Sequence, residues 1–255
     1  MHLDVADLRD FYATPLGQVA RRLLTRNIRA RCRGRTASTF IGLGFASPFL
    51  APFRNEVTRL GAFMPETQGA LVWPSTGPVL SVLVEEDRLP LPGNSVDCLL
   101  LVHCLEMALR PENLLREIWR VLAPEGRILI VVPNRRGVWA RTDNTPFGQG
   151  RPYSRWQLVT LLVQSLFTPV DWGGALYFPP LGRQVVLRSA TACERLGSRF
   201  ASRVAGVIVV EAKKELVAPI GKAAPARALR DLVTVSEERG RSGRAPSSPP
   251  PADQS

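Results

Sequence analysis

From residue 37 onward, short apolar runs alternate with stretches of helical spacing, and this alternation constrains the fold more than any other feature. Runs of a length suited to strands lie near residues 37–42, 57–63, 79–84, 96–102 and 127–132. Each is mainly apolar or β-branched, as expected of parallel strands that are covered on both faces. The pattern predicts an α/β fold with helices on both faces of a mostly parallel sheet, completed by strands near 183–188 and 203–211.

The helix predicted most clearly spans residues 111–122. Pro111 suits a first helical turn, and the Pro-Glu-Gly sequence at 124–126 ends the helix before the next strand. A further helix over about 154–167 begins at Ser154, a residue type that caps helix N-termini. Apolar spacing over 7–31 predicts an amphipathic N-terminal segment, either continuous or broken into two helices near 15–17.

Three parts of the chain differ in composition. With 45% apolar residues among 255, the chain can bury the core of one ordinary domain, which we place at 37–216. Residues 1–36 are predicted to form a helical cap ahead of it. Residues 217–255 are rich in Ala, Pro, Arg and Ser, which bury too little apolar surface to offset ordering. We therefore predict a tail that is disordered or partly helical.

Several classes of protein are disfavoured. The longest apolar runs, 37–53 and 96–109, are too short or too interrupted for a transmembrane helix. The N-terminus carries acids where a secretion signal would be basic, so a cytoplasmic protein is expected. The four cysteines form no C-x-x-C pair and the two histidines lie far apart, which predicts buried thiols and no metal.

The net charge of +11 comes mainly from arginine, concentrated in residues 21–35 and after 182. Such a stretch suits RNA, phosphate or an anionic membrane surface. A solvated basic helix face is the simpler interpretation, because no aromatic residues are interleaved as in single-strand binders. Nucleic acid is therefore not the favoured partner, and the oligomeric state is left open.

A glycine-rich turn, Phe-Ile-Gly-Leu-Gly-Phe-Ala over residues 40–46, follows the first predicted strand. Gly42 and Gly44 would let the backbone approach a ligand closely at the carboxyl edge of the sheet. Strand-to-helix turns also use glycine for purely steric reasons, so both interpretations stay open.

The stretch 85–134 is more specific. It has an acid before L-P-x-P, a V-D pair entering a buried strand, then L-E and L-x-E-x-x-R-V-L-x-P-x-G-R. In order and spacing these elements resemble the core of the methyltransferase type 11 family, class I S-adenosylmethionine-dependent methyltransferases. The N-terminal D-x-x-x-F-Y-x-x-x-L-G segment is similar to helices that cover the cofactor in many such enzymes.

The resemblance implies a Rossmann-like seven-stranded sheet whose last strand is antiparallel, with S-adenosylmethionine across the carboxyl ends of the first strands. Gly42 and Gly44 would face its methionine portion, and Glu85 or Glu86 its adenine. The residues implied to line the site after the fourth strand are Val102, His103 and Leu105. His103 either acts as a general base near neutral pH or is a satisfied histidine at the edge of the core.

The sequence departs from the family at three expected cofactor contacts. Phe40 stands where an acid usually holds the methionine ammonium, and Ala46 replaces a third glycine. Met64 stands near the place of the acid that accepts the ribose hydroxyls, which leaves Glu66 close by. One lost hydrogen bond to a charged group weakens binding by about 1.5–3 kcal/mol, roughly tenfold to a hundredfold.

The predicted acceptor site is the loop over 133–154, where substrate-contacting loops of the family lie. A loop of this length in a compact domain is more often functional than idle. Its arginines would prefer an anionic acceptor. The predicted substrate contacts are Arg135, Arg136, Trp139, Arg151 and Tyr153.

The leading interpretation is a methyltransferase that passes the methyl group in-line to an O, N or C nucleophile of an unidentified acceptor. A second interpretation is a non-catalytic relative that keeps the fold and binds a partner or RNA. A nicotinamide-dependent oxidoreductase fits least, because the full G-x-G-x-x-G is missing.

Overall fold

The computed structural model describes residues 3–32, 38–200 and 204–215. Its helices are α1 (Val5–Ala13), α2 (Pro15–Cys32), α3 (Ser47–Leu50), α4 (Pro111–Val121), α5 (Arg155–Gln164) and α6 (Gln184–Phe200). Its strands are β1 (Thr39–Gly44), β2 (Arg59–Pro65), β3 (Ser81–Val84), β4 (Val96–Val102), β5 (Leu122–Pro133), β6 (Phe167–Ala175) and β7 (Val207–Lys214). The predicted boundary at 36 and the predicted tail at 217–255 lie outside the described residues.

The seven strands form one sheet in the order β3-β2-β1-β4-β5-β7-β6. Neighbours from β3 to β5 run parallel, whereas β7 is antiparallel to both β5 and β6. The predicted Rossmann-like sheet with an antiparallel last strand is confirmed. Strand order reverses direction between β1 and β4, and ligands of such sheets bind in the crevice at that point.

The sheet has an apolar core on each face. Leu8 of α1, Leu24 of α2 and Phe49 of α3 belong to the core on one face. Leu114 of α4 and Leu162 of α5 belong to the core on the other. The strands between them are apolar on both sides, which explains the nearly continuous apolar runs in the sequence.

Helix ends follow the expected residue types. Pro111 occupies the first turn of α4, which ends at Val121, one residue before the predicted end. The Ser154 side chain accepts the Gln157 N–H, and the Gln157 side chain bonds back to Ser154, forming a capping box at the start of α5. The N-terminal segment is broken at Thr14 into α1 and α2.

The predicted strand at 183–188 is wrong, because these residues begin α6. The sixth strand is instead β6, which begins at Phe167, the predicted end of a helix, and continues over residues for which no element was predicted. Pro169 and two glycines hide this strand in the sequence, and the structure accommodates Pro169 beside a register shift of the edge strand. A short apolar run such as 185–187 fits a strand or a buried helix equally well.

Across the described ranges, no helix has both the length and the apolar character needed to cross a membrane. No disulfide joins the four cysteines, all of which lie in the described ranges; Cys104 is buried and the other three are half-buried.

Candidate functional site

A cavity of about 300 Å³ lies at the carboxyl ends of β2 and β3, bordered by the segment after β4. A second cavity of about 340 Å³ lies at the opposite edge of the sheet, where its lining includes Phe40, Phe53, Asp97 and Arg127. Because ligands of open α/β sheets bind at the carboxyl ends of the strands, the first cavity is the candidate cofactor site.

Three of the predicted cofactor contacts meet at this cavity. Glu66 follows β2, and its N–H donates to Val84 O at 3.0 Å. Glu85 and Glu86 follow β3, and all three acids line the cavity together with Arg110. Carboxylates accept hydrogen bonds from hydroxyl and amino groups, so the cavity is chemically suited to a nucleoside.

Met64 lies elsewhere. Its side chain is buried in the core shared with the N-terminal helices, and its sulfur accepts the Leu71 N–H at 3.1 Å. Glu66, two residues later, is therefore the polar side chain that β2 brings to the cavity.

The glycine turn packs directly on the end of β4. Gly44 has a φ of +83°, and a Cβ there would lie 2.4 Å from Val102 O. The next N–H, of Phe45, donates to that same oxygen at 2.8 Å. A Cβ on Gly42 would lie 2.5 Å from the Cβ of Ala46, which is itself fully buried. Close packing therefore favours glycine at both positions, independently of any ligand.

His103 follows β4 in a buried position with a φ of +51°. Its Nε2 lies 2.9 Å from the Tyr12 hydroxyl of α1, and its Nδ1 lies 3.3 Å from an oxygen of Glu106. The Phe147 ring lies 4.7 Å away between centroids. The Gln68 side chain donates to His103 O. The predicted site residues Val102 and Leu105, on either side, are fully buried.

The carboxyl of Glu106 changes the acidity of its neighbours. Burial, together with the Glu106 charge, raises the pKa of the Tyr12 phenol well above its ordinary value. Burial also raises the pKa of the Cys104 thiol, with further contributions from Glu86 and Glu106. Both groups therefore stay protonated at neutral pH.

Tyr12 and Glu106, which contact His103, were not identified from the sequence as site residues. Tyr12 lies 91 residues before His103, and no local pattern joins them. Glu106 was seen only as part of the L-E element. The signal that could have found it is an acid three residues after the candidate base.

The loop after β5 is held by two of its predicted substrate contacts. Trp139 is buried, and its Nε1 donates to Phe178 O at 2.7 Å. Tyr153 is buried too: its N–H donates to Pro133 O at 3.0 Å and its hydroxyl to Leu105 O at 3.3 Å. Burial raises the pKa of Tyr153 to about 12. Both rings thus anchor the loop from inside.

The arginines of this loop are exposed while their backbone is fixed. The N–H of Arg135 donates to Tyr153 O at 2.9 Å, and that of Arg151 to Glu106 O at 2.8 Å. The N–H of Arg136 donates to the Asn134 side chain at 3.1 Å. The backbone of Arg151 thus joins the loop to the segment that carries His103, while the three arginine side chains are exposed.

Residues 66–130 match the family described as methyltransferase domain. A solved S-adenosylmethionine-dependent methyltransferase from Thermotoga maritima is 14% identical, with a TM-score of 0.57 over 83% of this chain and 96% of its own. A methyltransferase solved with the Haloferax volcanii Trm112 methyltransferase activator is 17% identical, with a TM-score of 0.61 over 84% of this chain and 99% of its own. The cyclase SpnF is 20% identical, with a TM-score of 0.54 over 79% and 83%.

A search of curated proteins finds no match. At these identities, the likenesses to solved structures establish the fold and leave the reaction to be argued from the site. The chain thus has the fold of the class I S-adenosylmethionine-dependent methyltransferases, and its residues 66–130 match the methyltransferase domain family.

Proposed function

We propose that this protein is an S-adenosylmethionine-dependent methyltransferase that acts on an anionic acceptor. The observation that carries the proposal is the cavity at the carboxyl ends of β2 and β3, where Glu66, Glu85 and Glu86 come together. The family match begins at the first of these residues and includes the other two. The cavity volume, about 300 Å³, is at the lower end of the range for small-molecule sites.

The residues present fit the adenosine portion of the cofactor. Glu66 would accept from the ribose hydroxyls, and Glu85 or Glu86 from the adenine amino group. The turn at Gly42 and Gly44 would adjoin the methionine portion. Phe40 makes no contribution there, because its ring contacts Phe53 at 5.0 Å and borders the cavity at the opposite edge.

The bound cofactor supplies an electrophilic methyl group. The chain itself contributes positioning, exclusion of water and proton acceptance. The rings of Tyr12 and Phe147 cover His103 and keep solvent away from it. His103 would accept the acceptor's proton, while the guanidinium groups of Arg135, Arg136 and Arg151 would draw an anionic acceptor to the site.

Calorimetric titration with S-adenosylmethionine and S-adenosylhomocysteine tests the cofactor site. We expect micromolar binding that Glu66→Ala and Glu85→Ala each weaken by about tenfold or more, because a hydrogen bond from a ligand hydroxyl or amino group is lost. Glu112→Ala, an exposed acid on α4, is the matched control. No binding at millimolar ligand would contradict the proposal.

The acceptor class is tested by a methyl-transfer screen over anionic, neutral and cationic compounds. Replacing Arg135, Arg136 and Arg151 together by alanine should raise KM for the active anionic compounds without weakening cofactor binding. Arg9→Ala, an exposed arginine of α1, is the control. Unchanged KM in the triple variant would exclude this role for the loop.

A further inference from the structure

Glu106 is a buried acid with an unusual environment. Its side chain is 1% exposed, and neither carboxyl oxygen has a hydrogen-bond partner among the described residues. Buried polar groups in proteins are almost always hydrogen-bonded, and an uncompensated buried charge is strongly destabilising. An acid in this position therefore calls for a specific explanation.

The neighbour of Glu106 is an imidazole that contacts a different polar group on each side. Glu106 Oε1 lies 3.3 Å from His103 Nδ1, and the His103 side chain is also 1% exposed. On the other side of the ring, Nε2 lies 2.9 Å from the Tyr12 hydroxyl. The ring thus lies between a carboxylate and a phenol.

This arrangement selects one form of the neutral ring. A carboxylate accepts but does not donate hydrogen bonds, so its charge favours the proton on Nδ1. Nε2 is then left with a lone pair, and the Tyr12 hydroxyl donates to it. The phenol remains the donor, because burial and the Glu106 charge raise the pKa of Tyr12 well above its ordinary value.

We propose that Glu106 is the positioning residue that makes His103 Nε2 the base of the reaction, and that the Tyr12 hydroxyl occupies the position of the acceptor's O–H or N–H. This inference rests on the proposed methyl transfer. In the reaction, the acceptor's lone pair forms the bond to the methyl carbon while the electron pair of the sulfur–methyl bond stays on sulfur. The acceptor proton passes to Nε2, and the Glu106 charge stabilises the imidazolium that results.

Tyr12 is suited to stand in the acceptor's place because it belongs to a separate element. It lies on α1, where its ring stacks on Phe45 with centroids 5.5 Å apart and meets Phe49 edge-on at 5.6 Å. Movement of α1 would withdraw the hydroxyl and leave Nε2 open to the acceptor.

Other titratable groups near the ring are buried and stay neutral. The Cys104 thiol follows His103 in the chain, and burial raises its pKa well above its ordinary value. Tyr153 adjoins the same segment through its hydrogen bond to Leu105 O. Phe147 and Gln68, which also contact His103, carry no charge. The charge of Glu86 reaches Cys104, but Glu106 is the acid whose carboxyl oxygen lies 3.3 Å from the ring.

Nuclear magnetic resonance of ¹⁵N-labelled histidine tests the inference directly. The chain has two histidines, so His2→Gln leaves the His103 ring as the only imidazole signal. In this background, we expect the neutral ring to carry its proton on Nδ1, with Nε2 unprotonated. A neutral ring protonated on Nε2 would overturn the inference, since such a ring donates to Tyr12 and has no lone pair for the acceptor.

Two variants test whether Glu106 is what selects the Nδ1–H form of the His103 ring. Glu106→Gln should mix the two neutral forms of the ring, because the charge that selects Nδ1–H is gone. Tyr12→Phe should keep the Nδ1–H form. Glu112→Gln, on the surface of α4, is the control. Near-UV circular dichroism shows that each variant is folded, and a neutral ring that stays wholly in the Nδ1–H form in folded Glu106→Gln would overturn the role of Glu106.

The same samples separate this inference from the proposed function. If calorimetry shows that S-adenosylhomocysteine binds but the neutral His103 ring carries its proton on Nε2, then His103 is not the base, and the proposed cofactor site still stands. The expected neutral form without any cofactor binding contradicts the methyl transfer itself.

Discussion

Trp139 is predicted from the sequence to contact the substrate, whereas the structure buries its ring. In a loop of arginines and glycines, a tryptophan suggests a surface for a substrate. In the fold its ring meets Phe147 and Phe178 edge-on, at 5.4 and 5.3 Å between centroids, and a Cβ on Gly206 would lie 2.4 Å from it. The ring is therefore part of the core beneath the loop.

Replacing Trp139 by alanine should lower the free energy of unfolding by about 3–5 kcal/mol, because a large buried ring is removed and Phe178 O loses its donor. Urea unfolding at neutral pH measures the change. Trp156→Ala is the matched control, since that side chain is 46% exposed and its removal should change stability little. Similar losses in both variants would contradict the buried role of Trp139.

Gly44 is the residue at which backbone conformation and packing coincide. Gly44→Ala should destabilise the fold by about 2 kcal/mol or more, because an L side chain is strained at positive φ and its Cβ meets Val102 O. Thermal unfolding of the variant gives the value. In Gly182→Ala the new Cβ meets nothing within 4 Å, so that variant should unfold at the same temperature as the wild-type protein.

Sequence reasoning located the acids of the cavity but not the residues around His103. Glu66, Glu85 and Glu86 each follow a strand, and the carboxyl ends of parallel strands share one edge of the sheet. Tyr12 reaches the site only through the packing of α1, which depends on the whole core. Burial of Met64 and Trp139 depends on the same packing and could not be read from local patterns.

At the scale of elements, α4 is joined to the turn before β4 by an ion pair with additional partners. Glu117 accepts from the Arg120 side chain and from the Leu89 N–H, at 2.6 and 2.7 Å. Arg120 in turn donates to Leu89 O and Leu91 O, at 3.1 and 3.0 Å. The pair thus connects the L-P-x-P segment to the helix that follows β4.

The pH dependence of the free energy of unfolding should reveal how much the ion pair between Glu117 and Arg120 stabilises the fold. Partial burial alone raises the pKa of Glu117, but the hydrogen bonds from Arg120 and Leu89 outweigh it and leave the pKa below its ordinary value. A depressed pKa stabilises the fold above the unfolded value of about 4.3, and this stabilisation is lost as the pH falls through the folded value.

Glu117→Gln should therefore be less stable than wild type above about pH 5, with the difference shrinking as the pH falls below about 4. Urea midpoints measured from pH 3 to 7 give this comparison. Glu112→Gln, in the first turn of the same helix, is the control. A constant difference for Glu117→Gln across the range would contradict the lowered pKa.

The elements that sequence predicted well are those whose signals are local. Pro111 marks the start of α4, and Ser154 marks the start of α5. The strand β6 was missed because its pairing with β7, an antiparallel partner near the end of the domain, compensates for Pro169 and two glycines. That compensation is a property of the sheet and has no local signal.

At the scale of the whole molecule, the protection of backbone amides against hydrogen exchange should decrease from the centre of the sheet outward. Amides of β4, which lies between β1 and β5, should exchange last, since residues 99–102 are fully buried. Those of the edge strand β3 should exchange much earlier, because Val82 and Leu83 are 41% and 47% exposed. Hydrogen exchange with mass spectrometry measures the order, and equal protection of β3 and β4 would contradict it.

The contact between Tyr12 and His103 also bears on how the protein is made. The two residues lie 91 positions apart, so at about 5–20 residues per second the ribosome needs roughly 5–20 seconds to deliver His103 after Tyr12. Until β4 is made, the apolar faces of α1 and α2 have only the strands β1 to β3 of the sheet to cover. The nascent chain thus presents them to solvent or to chaperones, and the site can close only after the fourth strand has left the exit tunnel.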